Sequence, residues 1–483
     1  MANILLVKPL KDKKLIFEHT QPLGIMYIAS SIKHANNSHE VKIIDMVVER
    51  KVYDGIRNEI KKFQPDIVGI SALTPEADAV HLFAERIKKD FSTCKVVVGG
   101  PYGTSAPRKV LKDDYVDFVV IGEGELTMVE LIERISQPGY PPKNYREIKG
   151  IAYRHDGQYI QTELRAHIEN LDELPFPAWD MIPVEKYYSS WIISPSKNQY
   201  YKSYMSIFTS RGCPYGCTYC HNIFGKRFRP RSVENVLSEI KTLYEHYDLH
   251  EVHILDDTFN VNKTRALEFC SCVKRSGLQI KLTFPNGLRG DILDEELMDA
   301  LVGAGMYSSA IGVESGSEKI QRSIEKNLNL QKLQRSIDYL YKKGIVTHGF
   351  FMVGFPGETR EDILQTITFA RNSRLTTASF HSLVPFEGTP LYQKVITQGM
   401  DASLNSSTSH SFKVLDINLS STEDYEIVRL IKKAYWDFYG SLKRLWNIFK
   451  MSPNKIYLFR LVIFYILFDK RLFKLRNPLK KEA

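Results

Sequence analysis

The stretch Arg211-Gly-Cys-Pro-Tyr-Gly-Cys-Thr-Tyr-Cys-His-Asn222 places Cys213, Cys217 and Cys220 in a C-x3-C-x2-C spacing, directly after an apolar run from Tyr204 to Thr209. Thiolates are soft ligands, and three from one short loop suit an iron–sulfur cluster or a zinc ion. A structural zinc needs a fourth ligand. His221 is adjacent to Cys220 and poorly placed to reach the same metal, and the paired knuckle usual for zinc loops has no counterpart in the sequence. A disulfide framework does not suit a chain of 483 residues with six cysteines and no secretion signal. The cluster is the favoured reading, with zinc and incidental placement as alternatives. Three ligands on a four-iron cluster leave one iron open, and an open iron implies chemistry.

Working outward, the segment from Tyr204 to about Gly399 alternates strands with helices. Strands are expected at Met205–Thr209, Val252–Leu255, Leu282–Phe284, Ser309–Val313, Thr347–Val353 and Ser379–Val384. Helical spacing falls between them, as at Val233–Tyr247, Lys263–Arg275, Glu295–Val302, Leu330–Lys343 and Glu361–Asn372. Successive βα units predict a partial (β/α) barrel whose chemistry lies on the loops at the strand C-termini. The cysteine loop follows the first of these strands.

The first 138 residues give uniformly apolar strands, Ile4–Val7, Val41–Ile44, Ile67–Ile70, Lys95–Val98 and Phe118–Ile121, separated by amphipathic segments. Strands of this kind are covered on both faces, so an α/β doubly wound, Rossmann-like parallel sheet is expected. Its ligand edge carries Ser71 to Thr74, Gly99 to Gly103 and Gly122-Glu-Gly-Glu125. Glycines there serve tight turns or the close approach of a large ligand. No G-x-G-x-x-G follows the first strand, which disfavours a dinucleotide. Residues 139–200 read as a connector with a hairpin near Ile151–Ile160, 201–410 as the barrel, and 411–483 as a helical region including Glu423–Phe449.

Hydrophobic content of 43% with 25% charged residues is that of a globular protein. The chain carries +9, and residues 441–483 alone hold eleven Lys or Arg against two acids, so the basic character belongs to the tail. The apolar run Leu461–Phe468 is far short of the ~20 residues a membrane span needs. With Arg460, Lys470, Arg471 and Lys474 beside it, it reads either as a packed and solvated face or as a peripheral membrane contact. Nucleic acid is the least favoured partner, and the cytoplasm, with contact at the inner membrane face, is the expected location.

The cysteine loop, read with the βα units that follow it, resembles the radical SAM superfamily. The resemblance implies that Cys213, Cys217 and Cys220 hold a [4Fe–4S] cluster whose fourth iron chelates S-adenosylmethionine. It also implies SAM contacts from Tyr219, from Asp256 or Asp257 after the second strand, and from Arg289 after the third. Glu314 and Ser315 after the fourth strand, and Gly354 and Pro356 after the fifth, are implicated in the same way. The doubly wound domain ahead of the barrel is similar to that of the cobalamin-binding class. This implies cobalamin contacts from Gly24, Ser71, Thr74, Gly99, Gly100, Gly122, Glu123, Gly124 and Glu125. The Asp-x-His-x-x-Gly motif of cobalamin mutases is missing and no histidine occurs before Phe17, so cobalt without a histidine ligand is expected.

The reaction implied is radical chemistry, foremost C-methyl transfer to an unactivated carbon of a hydrophobic or secondary-metabolite substrate. An external electron donor of flavodoxin or ferredoxin type is expected. An anaerobic porphyrin-cyclase-like rearrangement is the alternative, and a cobalamin-binding scaffold with a vestigial cluster is a reading of another class.

Overall fold

The structure, a computed structural model, describes residues 1–12, 20–136, 142–188, 199–221, 223–397 and 417–459. The basic-apolar run Leu461–Phe468 and its flanking cations therefore lie outside the described residues. The chain divides into two compact units, Met1–Ser190 with His221–Arg231, and Trp191–Cys220 with Ser232–Ala483.

The first unit is built on β1 (Asn3–Lys8), β2 (Glu40–Asp45), β3 (Ile67–Ser71), β4 (Lys95–Gly99) and β5 (Phe118–Val120), paired parallel in the order β2-β1-β3-β4-β5. Helices α1 (Leu23–Ala35), α2 (Tyr53–Phe63), α3 (Ala77–Asp90) and α4 (Glu125–Ser136) alternate with the strands. The inner residues of β1, β3 and β4 are buried regardless of parity, as expected for a sheet covered on both sides. Chain direction across the sheet reverses between β1 and β3. Such a switch point opens a crevice beyond the strand carboxyl ends. The expected connector contributes more than a link: β6 (Ile151–His155) and β7 (Gln158–Gln161) pair antiparallel and extend the sheet beyond β5.

The second unit carries a six-stranded, all-parallel sheet of β8 (Tyr204–Ile207), β9 (Glu251–Ile254), β10 (Lys281–Leu288), β11 (Met306–Glu314), β12 (Val346–Val353) and β13 (Thr377–Ser382), in chain order. Between them run α5 (Val233–Tyr247), α6 (Lys263–Ser276), α7 (Glu295–Gly303), α8 (Leu330–Lys342) and α9 (Arg360–Asn372). Each of these helices begins on a side-chain cap, from Ser232, Asn262, Asp294, Asn329 and Thr359 respectively. A cap of this kind contributes about 1 kcal/mol and sharpens the point where loop becomes helix. It also frees the strand-end acids Asp257 and Glu358 from capping duty.

One face of this sheet is apolar and packs on the helices. Phe284 meets Phe259, which meets Phe269 of α6, while Phe351 stacks on Phe380 and leans on Phe369 of α9. The helix expected over Glu423–Phe449 is two helices, α11 (Asp424–Tyr439) and α12 (Leu442–Met451), following the short α10 (Pro390–Thr397). Gly440 supplies the break between them. α11 covers the open edge of β13: Tyr435 Oη accepts from Phe380 N at 3.1 Å and Tyr439 Oη accepts from Ala378 N at 2.9 Å. Both hydroxyls also donate to the carbonyls of those residues. The edge's unpaired backbone groups are thereby satisfied without another strand.

Candidate functional site

The cysteine loop leaves β8 from a fixed base. Asp256, fully buried, accepts from Thr209 N at 2.6 Å, Thr209 Oγ1 at 2.5 Å and Ser210 Oγ at 2.6 Å. Burial raises its pKa while these donors oppose the shift. Asp256 is thus occupied with the backbone at the end of β8. Its neighbour Asp257 is solvent-accessible, accepts from the Gly212 amide, and has its pKa pushed up to about 6 by burial and by the charge of Asp256. Of the two aspartates, Asp257 is the exposed one.

Cys213 Sγ lies 3.1 Å from Thr258 Oγ1, and Cys220 is exposed. The loop backbone is held between two later elements, with Thr218 N donating to Ile324 O and Leu391 N donating to Thr218 O. Desolvation by surrounding protein atoms raises the thiol of Cys217 and, although residue Cys220 as a whole is exposed, pushes its thiol up to about 12, with the neighbouring sulfurs adding to both shifts. Cys217 and Cys220, disfavoured as free anions on the same short loop as Cys213, fit a site completed by iron, whose positive charge would stabilise the thiolates. Among the described residues, no three His, Cys, Asp or Glu side chains converge on a single metal ion.

Around this loop the structure sorts the expected SAM residues. Tyr219 packs edge-on to Phe355 at 5.8 Å, beside Gly354 (φ 98°) and Pro356. Gly354 N and Phe355 N donate to Glu358 Oε2 at 2.6 and 3.1 Å, so that buried carboxyl shapes the turn. Glu314 ends β11 with φ 65°, a left-handed conformation that costs a non-glycine residue about 1 kcal/mol or more. Its Oε1 is 2.7 Å from Lys326 Nζ, with both side chains largely buried.

Arg289 has other partners than expected. Its guanidinium stacks 3.7 Å over the Tyr215 ring, pairs with Asp291, and donates from Nη2 to Lys326 O at 2.9 Å. Ser315 is wholly enclosed, its hydroxyl 3.0 Å from Thr366 Oγ1. Both side chains are thus engaged with neighbouring segments of the chain. Tyr215, Lys326 and Thr258 were not singled out by the sequence, because their roles rest on contacts with residues far along the chain.

In the first unit, Ser71, Gly99, Gly100, Gly122 and Gly124 fall at the carboxyl ends of β3, β4 and β5. Thr74 opens the turn after β3, Gly24 lies in the first turn of α1, and Glu125 begins α4. Gly100 (φ 73°) is glycine for two reasons: a Cβ there would lie 2.6 Å from Ser71 Oγ, and its backbone is left-handed. A Cβ on Gly24 or Gly122 would meet nothing within 4 Å, so the backbone faces open space at both positions. Leu73, at the crevice after β3, is 54% exposed. Bare backbone and an exposed leucine fit a large, partly apolar ligand such as the corrin ring.

Glu123 is committed elsewhere. It accepts from Arg229 Nη1 and Nη2, each at 3.0 Å, and from Ile168 N at 2.8 Å. His81 has both ring nitrogens engaged, with Asp113 Oδ2 at 2.6 Å and Tyr102 Oη at 2.8 Å.

Fold and site define a two-module α/β enzyme with a thiol-bearing barrel loop. Comparison with known proteins identifies the modules. Residues 207–370 match the radical SAM superfamily and residues 16–132 the B12 binding domain. An uncharacterised methyltransferase of Pyrococcus horikoshii is 33% identical over 447 residues, covering 91% of this chain and 93% of that protein. The cytidylyl-2-hydroxyethylphosphonate methyltransferase of Streptomyces wedmorensis is 30% identical, covering 90% of each. The structure of the radical S-adenosylmethionine methyltransferase TsrM from Kitasatospora setae superposes with TM-score 0.68 at 18% identity, over 82% of this chain and 75% of that one. The chain belongs to the B12-binding radical SAM superfamily. It is a radical SAM enzyme, and its cofactors are a [4Fe–4S] cluster, S-adenosylmethionine and cobalamin.

Proposed function

We propose that this enzyme is a cobalamin-dependent C-methyltransferase acting at an unactivated carbon of a small molecule. The observation that supports this best is the pairing, in one chain, of a thiol-bearing barrel loop with a glycine-edged switch-point crevice, in a sequence that relatives named methyltransferases match almost end to end. When bound, the three cofactors together supply a carbon-centred radical and a methyl group.

On this reading Cys213, Cys217 and Cys220 ligate three irons. Asp257 accepts from the methionyl ammonium, and Lys326, already paired with Glu314, carries the cation available to the methionyl carboxylate. Tyr219, braced edge-on by the buried Phe355, and the bare backbone of the left-handed Gly354 offer contacts for adenine. Arg289 keeps the cysteine loop in place through Tyr215. The Ser71, Gly99, Gly100 and Gly122 edge receives the corrin. That no histidine ligates cobalt remains part of this reading. Electrons come from an external flavodoxin- or ferredoxin-type donor.

The test is an anaerobic incubation of reconstituted protein with methyl-labelled S-adenosylmethionine, a chemical reductant and an extract of the producing cells. Label in a product other than methionine is the expected result. Formation of 5′-deoxyadenosine with all label retained in methionine or unreacted S-adenosylmethionine overturns methyl transfer.

A further inference from the structure

Helix α12 presents its apolar face outward. Leu442, Leu445, Trp446 and Phe449 recur at i, i+3, i+4 and i+7, the spacing of one helix face, which in a globular protein ordinarily meets the core. Here all four side chains are exposed, Leu442 by 85% and Trp446 by 64%, and no residue of α12 is buried. The side turned to the protein is held by polar contacts instead. Arg444 donates to the carbonyls of Arg371, Ser373 and Leu375 and stacks 3.9 Å over the Phe438 ring, and Met451 Sδ accepts from Thr376 Oγ1 at 3.7 Å. These anchors lie at the end of α9 and in the turn before β13, where the parallel strands begin. The exposed stripe therefore sits at the end of the barrel sheet opposite the cysteine loop.

The exposed apolar surface extends past the helix ends. Trp436 of α11, and Ile456 and Phe459 beyond α12, are exposed as well. The rings of Trp446 and Phe449 stack at 5.8 Å, and Lys455 Nζ lies 5.7 Å from the Phe449 ring. Lys443 and Lys450, two helical turns apart, stand together beside the stripe. No acidic residue occurs between Asp437 and Asp469. Single exposed hydrophobic residues are ordinary on a protein surface, whereas a row of them rimmed by one sign of charge marks an interaction face.

We infer that α12 docks this protein on an anionic phospholipid surface. Leu442, Leu445, Trp446 and Phe449 enter the interface, and Lys443, Lys450 and Lys455 lie at headgroup height. Charge decides among the possible occupants of the stripe. A second copy in two-fold contact would set one acid-free basic face against another. Residues 460–483 hold seven Lys or Arg against two acids, so a cover drawn from the chain's own end would also meet like charge. Anionic headgroups supply the opposite sign, above acyl chains that take up the apolar row. The contact lies away from the cysteine loop, so it positions the enzyme without entering its chemistry.

The experiment is co-sedimentation of the reconstituted full-length protein with vesicles of phosphatidylglycerol and phosphatidylcholine, and with vesicles of phosphatidylcholine alone. Binding to the anionic vesicles is expected, weakening as salt is raised. Leu445→Ser combined with Trp446→Ser should lower partitioning by about tenfold or more, since two apolar side chains no longer leave water. Lys443→Gln combined with Lys450→Gln should lower it by about fivefold for each lysine, on the anionic vesicles only. Both double variants should keep the iron content, thermal midpoint and 5′-deoxyadenosine formation of the wild type. Should the first pair lower the thermal midpoint, the lysine pair and the salt series decide. Absence of wild-type binding overturns the inference. So does binding insensitive to both double variants, which would move the contact to residues 460–483. A dimer that the Leu445 and Trp446 changes dissociate, with vesicles left unbound, overturns it in favour of a second copy.

Discussion

The two parallel sheets of this chain solve the same packing problem and leave different surfaces for chemistry. In the first unit both faces are buried, so ligand contact is confined to the edge where the strands end. In the second unit one face carries the hydrophobic core and the other stays partly open along β12 and β13. The free edges differ as well. The first sheet is prolonged past β5 by the β6–β7 hairpin, and the second is covered by tyrosine hydroxyls from α11. A sheet covered on both sides offers loops as its site, whereas a sheet curved around a bore also offers its wall.

The largest test of this contrast is at the barrel mouth. Cys213→Ala is expected to lower 5′-deoxyadenosine formation to background, with iron content falling as well, while cobalamin retained after gel filtration stays at the wild-type level. Gly100→Val strikes the other sheet. The left-handed backbone and the clash with Ser71 Oγ should cost about 2 kcal/mol or more and release cobalamin, leaving iron content unchanged. Thermal denaturation and visible absorbance of the bound cofactor measure both effects. Loss of both cofactors in both variants would show that the two edges do not act independently.

A third test concerns the turn after β12. Burial pushes the Glu358 carboxyl up to about 8. The folded chain therefore holds a proton at neutral pH that the unfolded chain, with an ordinary carboxylate, has released. The stability tied to that proton is whole below the unfolded value near 4.5, declines as pH rises, and is gone above about 8. Glu358→Gln keeps an acceptor for Gly354 N and Phe355 N and has nothing to release. The wild type should lose a few kcal/mol relative to this variant between pH 5 and pH 8.5, seen in denaturant melts. The smallest expected effect is at the covered edge. Tyr435→Phe should cost about 1 kcal/mol and speed amide exchange at Phe380, with no change in the first unit.

How much of this was legible in the sequence follows the same division. The strands of the first sheet were readable because burial on both faces makes them uniformly apolar, and the cysteine loop because its ligands are local. The edge glycines were visible, although the reason for Gly100 lies in Ser71, a residue of another strand. The barrel strands were placed near their observed positions, but the open face was not recognised. In Val346–Val353, histidine and glycine interrupt a run that reads as simply apolar, and only register with β13 gathers His348, Ser379 and His381 on one side. Asp256 and Asp257 could not be told apart, since consecutive residues point in different directions and only the contacts of Thr209 and Ser210 reveal which carboxylate is occupied. The stacking of Arg289 was not legible, because its partner, Tyr215, lies more than seventy positions earlier in the chain.

The pairing of Arg229 with Glu123 carries a practical consequence. Their side chains are 2% and 3% exposed, and residues 221–231 group with the first unit although they follow the third cysteine. The cobalamin module is thus not a contiguous stretch of gene. A fragment ending at residue 190 would leave the Glu123 carboxylate buried without its cation, a defect worth about 3–5 kcal/mol. Domain exchange between enzymes of this kind therefore has to carry the eleven-residue strap as well as the N-terminal portion, and a crossover placed at the apparent linker splits a folding unit.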